Sequence, residues 1–135
     1  MNENKRSHLE MIQGIANRLS QNSFLLKGWS VVLISALMAL AAKDSNLVFI
    51  LLAYLPAFAF WFLDGYFLWQ ERLFRKLYDY VRQLKDDEIN YSMDLSVVKN
   101  IDDDLFKAIL SKTLILFHGV IIFALIAVMI LITSK

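Results

Sequence analysis

Three ionisable side chains, Lys27, Asp64 and His118, lie inside long apolar stretches of this sequence. Each is followed by glycine, as Lys27-Gly28, Asp64-Gly65 and His118-Gly119. An Asp in the middle of a bilayer costs about 2.5–3.5 kcal/mol on insertion scales, and less toward the edge. Pairing Asp64 with Lys27, with His118 beside them, would lower that cost. Glycine lets helices approach closely, so a single packed polar layer joining the helices is expected. Three kinds of chemistry are open to it: structural glue, a gate, or the coupling site of a proton-driven transporter. A plainer arrangement is also open, with Lys27 snorkelling to the interface and His118 bonding to a neighbouring helix.

A second group of chemistry-bearing residues follows Asp64. On a helical wheel Arg72, Arg75, Asp79 and Arg82 share an arc. Guanidinium forks suit phosphate, so this arc is a candidate receiver for an anionic ligand; the alternative is an ordinary basic flank. Residues 71–85 are basic, whereas residues 86–104 are acidic and read as a solvated connector. Asp102-Asp103-Asp104 is expected to open the third helix, where carboxylates complement the positive end of the helix dipole. A carboxylate metal site there is the remote alternative.

The chain has 2 His and no Cys, so disulfides, thiol catalysis and cysteine metal sites are excluded. It also lacks a nucleophile elbow, a phosphate-cradling glycine loop and a pair of metal-spaced histidines. The expectation is a protein that is not an enzyme and needs no cofactor or resident metal. A net charge of +1 does not suggest a nucleic-acid partner.

The elements that must hold these residues follow from composition. Hydrophobic residues make up 58% of the 135, and mean hydropathy is +0.50. Soluble domains usually carry about 45–50% apolar residues. With 4 Gly and 1 Pro, the surplus favours long helices over β-structure. Spans are expected at residues 24–42, 47–70 and 113–135, since crossing a bilayer takes about 20 mostly apolar residues. The segment preceding the first span, and that span's length, argue against a cleaved signal peptide. Residues 43–46 leave room only for a tight turn between the first two spans.

The first 23 residues form a cytoplasmic amphipathic segment in this reading. Leu9, Ile12, Ile15, Ala16 and Leu19 fall at helical spacing over residues 4–20. Asn22-Ser23 resembles a break and N-cap before the first span. Nothing between Gly65 and Lys85 stops the second helix, so it is expected to run from Leu47 to Lys85, roughly 58 Å at 1.5 Å per residue. Its stripe of Phe67, Phe74, Leu77, Val81 and Leu84 must be covered, by the N-terminal helix or by a neighbouring subunit. Residues 71–112 then form a cytoplasmic helix and acidic connector. Of the 14 Lys and Arg, only Lys43 and Lys135 would lie on the far side of the membrane. The positive-inside rule therefore puts the N-terminus in the cytoplasm and the C-terminus outside. The fold class is all-α: an integral membrane protein of three spans, an N-terminal amphipathic helix and a cytoplasmic extension of the second span.

Three stretches carry a resemblance. They are His8-Leu9-Glu10-Met11-Ile12-Gln13-Gly14-Ile15, Asn22-Ser23-Phe24-Leu25-Leu26-Lys27-Gly28-Trp29, and the run from Phe62 through Asp64-Gly65-Tyr66-Phe67-Leu68-Trp69-Gln70 to Phe74. They resemble small bacterial membrane proteins associated with TIR-domain proteins, as in Thoeris-type antiphage defence. The resemblance covers about the first 85 residues well and the remainder loosely. It implies a membrane effector in the bacterial inner membrane that responds to a nucleotide-derived second messenger from a TIR-domain enzyme. His8 and Arg18 would join Arg72, Arg75 and Arg82 in sensing the signal if the N-terminal helix packs there. Three spans are too few to enclose a channel comfortably, so conduction would need a homo-oligomer surrounded by membrane lipids. A non-conducting scaffold subunit and a small proton-coupled transporter remain as the other two classes.

Overall fold

The computed structural model describes residues 1–99 and 104–135. Four α-helices and one 3-10 turn make up its regular structure, and there is no strand among the described residues. Helix α1 runs Glu3–Asp44, α2 runs Leu47–Gln83, α3 is the short Leu105–Ile109 and α4 runs Lys112–Thr133. Helices α1, α2 and α4 are each long and apolar enough to cross a membrane.

Helix α1 is continuous over 42 residues, which corrects the expected break at Asn22-Ser23. An N-cap needs extended backbone and a hydroxyl turned back to its own amides. Ser23 instead has helical backbone, and its hydroxyl is turned inward to bond with Asp64. The true cap is Asn2, whose side chain accepts from Lys5 N at 2.7 Å. At the other end Ser45 takes a left-handed conformation (φ 48°) and its N–H returns to Ala41 O. Asn46 then caps α2 by accepting from Val48 N at 2.9 Å. Two residues thus reverse the chain and set α1 and α2 as an antiparallel hairpin. Pro56 lies inside α2 without ending it.

The hairpin is held at both ends. Toward the turn, Ile34 and Ala41 of α1 meet Ile50, Ala53 and Ala57 of α2, and α4 closes over them with Leu125. Alanines at the contact let the helix axes come close, while Ile and Leu supply the buried area. Toward the free end, Leu9 and Ile12 of α1 pack on Leu77 and Val81 of α2. Full burial of side chains of this size contributes about 1.5–3 kcal/mol each.

The connector after α2 is not the solvated segment its acidic composition suggested. Residues 84–99, termed the strap, return over the α1–α2 stem and bury Ile89 and Val98 against Leu9, Ile12, Leu77 and Val81. Phe74, Leu77, Val81 and Leu84 of the apolar stripe on α2 are therefore covered by α1 and by the strap of the same chain. Acidic side chains point outward between those apolar anchors, which the residue count alone could not reveal. Of the three aspartates expected to open the third helix, Asp102 and Asp103 lie outside the described residues. Asp104 caps only α3, accepting from Lys107 N at 2.7 Å. The long helix α4 starts separately at Lys112, with Ser111 as its N-cap residue.

Candidate functional site

Asp64 is the centre of the site. It occupies the inward face of α2 and is completely buried. Its Oδ2 is 2.6 Å from the Lys27 ammonium of α1 and 2.8 Å from Nε2 of His118 on α4. Its Oδ1 accepts a hydrogen bond from the Ser23 hydroxyl. Lys27 Nζ also donates to Ser23 Oγ at 2.9 Å. The structure therefore brings Lys27, Asp64 and His118 together, one from each of the three long apolar helices.

Helical spacing explains the arrangement. Ser23 and Lys27 are one turn apart on α1, and Ser30 continues the same inward face. His118 is 1% exposed, stacked on Trp61 with ring centroids 5.7 Å apart and 7° between planes. Phe117 meets the imidazole edge-on at 5.0 Å, and its ring lies 5.8 Å from Lys27 Nζ. The aromatic walls fix the imidazole and exclude water from one side. In the neutral ring the hydrogen sits on Nε2, facing the carboxylate, and leaves a lone pair on Nδ1. That Nδ1 is buried without a partner, as is Ser30 Oγ. The cluster pairs one ammonium with one carboxylate, with the Lys27 side chain still 24% exposed. Such a group can lock three helices, and it can loosen them when its charge or geometry changes.

The glycines act differently from expectation. Gly28 and Gly119 have open space where a Cβ would stand, so neither marks a close helix contact. Gly65 does. A Cβ there would overlap Ile109 Cγ1 and come within 3.0 Å of the Ile109 backbone. Trp61 Nε1 donates to Ile109 O at 2.9 Å in the same contact. Helix α3 is thus seated on α2 directly beside Asp64, joining the segment that follows the strap to the polar cluster.

The candidate ligand residues of the stem do not form one site. Arg75 pairs with Glu71 at 2.9 Å and Arg82 with Asp79 at 3.1 Å, both along α2 and both exposed. Arg72 and Arg18 are exposed on their helices. Arg75 lines a groove of about 230 Å³ between α1 and α2, together with Gln13, Ala16, Phe74, Tyr78 and Asp79. His8 does not line that groove; it is buried and meets Tyr91 of the strap edge-on at 5.6 Å. Burial lowers its pKa below the usual 6.5, and Nε2 has no partner. Tyr91 itself takes a left-handed backbone (φ 54°), unusual for a bulky residue and held here by the strap's fold.

Sequence reasoning missed the clasp at the strap. Lys5 is buried, and its ammonium donates to Leu84 O at 2.5 Å and Arg82 O at 3.3 Å, with Asp86 at 3.7 Å. It satisfies the last carbonyls of α2 where the helix dipole is negative. Asn2 N adds a bond to Asp86 at 2.9 Å. Ser23 was missed too, although its spacing from Lys27 and Ser30 was a visible signal. Among the described residues no cluster of His, Cys, Asp or Glu is arranged to hold a metal ion. No protein-family model, curated protein or solved structure matches this chain.

Proposed function

We propose that α1, α2 and α4 cross the bacterial cytoplasmic membrane, with the stem and strap in the cytoplasm and the C-terminus outside. In this reading the chain is a membrane effector of an antiphage defence system. A nucleotide-type signal or a protein partner engages the stem and displaces the strap. Movement of α3 against Gly65 then disturbs the neighbouring Asp64 cluster, and an oligomer of the chain lets the membrane leak. The observation that carries the reading is the buried carboxylate held by groups from all three long helices. An ionisable group of this kind inside apolar helices is a functional hypothesis by default. The outward faces support the membrane part: Leu55, Leu116 and Phe123 are among many large apolar side chains left exposed, which lipid would cover. The resemblance to TIR-associated proteins supports the choice of trigger.

Membrane potential in bacteria carrying the chain with its neighbouring genes tests the proposal. Collapse only after the signal-producing neighbour is triggered is expected, and Asp64→Asn should alter the threshold. One feature favours a second reading, a non-conducting scaffold: Asp64 is fully satisfied, with no unpaired charge awaiting a permeating ion. An unchanged potential with the whole neighbourhood present and triggered selects that scaffold.

A further inference from the structure

The elbow between α3 and α4 has a surface that the Asp64 cluster does not use. Its inner side is fixed, with Ala108 buried and Ile109 seated on Gly65. Its outer side is apolar: Phe106 is 69% exposed, Leu110 61% and Leu116 71%. Leu110, Ile115 and Leu116 line an open groove together with Lys112 and Thr113. Lys112 is exposed as the first residue of α4, and Lys107 is exposed on α3. The Ser111 side chain makes no capping bond to α4, and its buried Oγ has no partner. Ser111 thus supplies no side-chain acceptor to the positive end of this 22-residue helix. The Asp104 carboxylate is turned to the amide of Lys107.

We propose that this elbow is a binding site for an anionic phospholipid. The phosphate sits at Lys112 and the first amides of α4, and an acyl chain lies along Leu110, Ile115 and Leu116. The argument is complementarity in both halves of the ligand: cationic head, apolar groove, in the order a lipid at a membrane surface presents them. The inference rests on the membrane reading above. Since α3 also abuts Gly65, lipid held here would steady the contact beside Asp64.

The test uses the full chain in neutral detergent with equal amounts of phosphatidylglycerol and phosphatidylcholine of the same acyl chains, read by native mass spectrometry. Preferential retention of phosphatidylglycerol is expected. Lys112→Gln should reduce that preference about fivefold, whereas Lys85→Gln on the strap should leave it unchanged. Equal retention of the two lipids by the unaltered chain overturns the site while leaving the membrane reading intact. An equal loss in the two lysine variants also overturns it, because diffuse charge would then explain the preference. A chain that retains neither lipid likewise overturns the site and leaves the membrane reading intact.

Discussion

Asp64 has more partners than its two oxygens ordinarily find inside an apolar bundle, so removing one partner leaves the others badly matched. Breaking a buried ion pair costs about 3–5 kcal/mol, and partial exposure of Lys27 points to the lower end. Asp64→Asn and Lys27→Met are each expected to lower the unfolding temperature in detergent, and the double change to be milder than their sum. Additivity within about 0.5 kcal/mol would remove the coupling. His8 offers a second residue-level readout. Its pKa is depressed by burial, so the folded strap disfavours the protonated ring. The free histidine therefore binds more protons than the clasped one, and stability rises with pH across this range. The clasp is at full strength above about pH 6.5 and weakens as the pH falls from there toward the depressed value. Tyr91 is the ring packed on His8, and Lys5 is a buried charged group three residues earlier on the same helix face. Hydrogen exchange in residues 84–99, corrected for intrinsic rates, should quicken at pH 5.5 relative to pH 7.5. His8→Phe should flatten that difference.

Among the elements, α3 is the smallest and the most constrained. Ala is favoured over Gly in a helix interior by about 1 kcal/mol, so Gly28→Ala, with open space around it, should stabilise. Gly65→Ala has the same propensity gain but meets the backbone of Ile109. Overpacking of this sort typically costs about 1–3 kcal/mol, so it should destabilise and free the Trp61 contact, read as a change in Trp fluorescence. Thermal shifts of the same sign in both variants would contradict the assigned contact. The contrast between these glycines also shows where reading the sequence ran short. Their shared position after Lys27, Asp64 and His118 suggested one role, but only tertiary placement distinguishes an approached glycine from an open one. The three ionisable residues were legible because each interrupts an apolar run. The long α2 was legible because no breaker follows Gly65. The strap was not, since Ile89 and Val98 stand nine residues apart among acids and carry no helical or strand period. The α1 break was misread because Asn and Ser are cap formers locally, and a buried carboxylate on another helix overrode that preference.

At the scale of the whole molecule, the absence of native cysteine makes topology directly measurable. Single cysteines at Asn46 and Ser134 should react with a membrane-impermeant thiol reagent added to intact cells. A cysteine at Glu10 should react only after the membrane is opened. Labelling of Glu10→Cys in intact cells would invert the orientation and with it the place where a signal must arrive. Apolar side chains around the outside and a paired charge cluster within are what a helical bundle needs when lipid is its solvent. The stem and its strap reverse that pattern, burying Leu9, Ile12, Leu77 and Val81 and showing charge outward.

Because α1 has no joint at Asn22-Ser23, it behaves mechanically as one rod of about 63 Å. A partner that tilts the stem applies torque to the whole rod, with no intervening hinge to absorb it. The Ser23 and Lys27 contacts to Asp64 stand near its middle, where they serve as a fulcrum. A displacement of a few ångströms at the N-terminal tip would therefore be returned, with opposite sense, near the Ser45 turn. Replacing the exposed Gln21 and Asn22 by glycine would soften the rod between the two arms without shifting the register of either set of contacts.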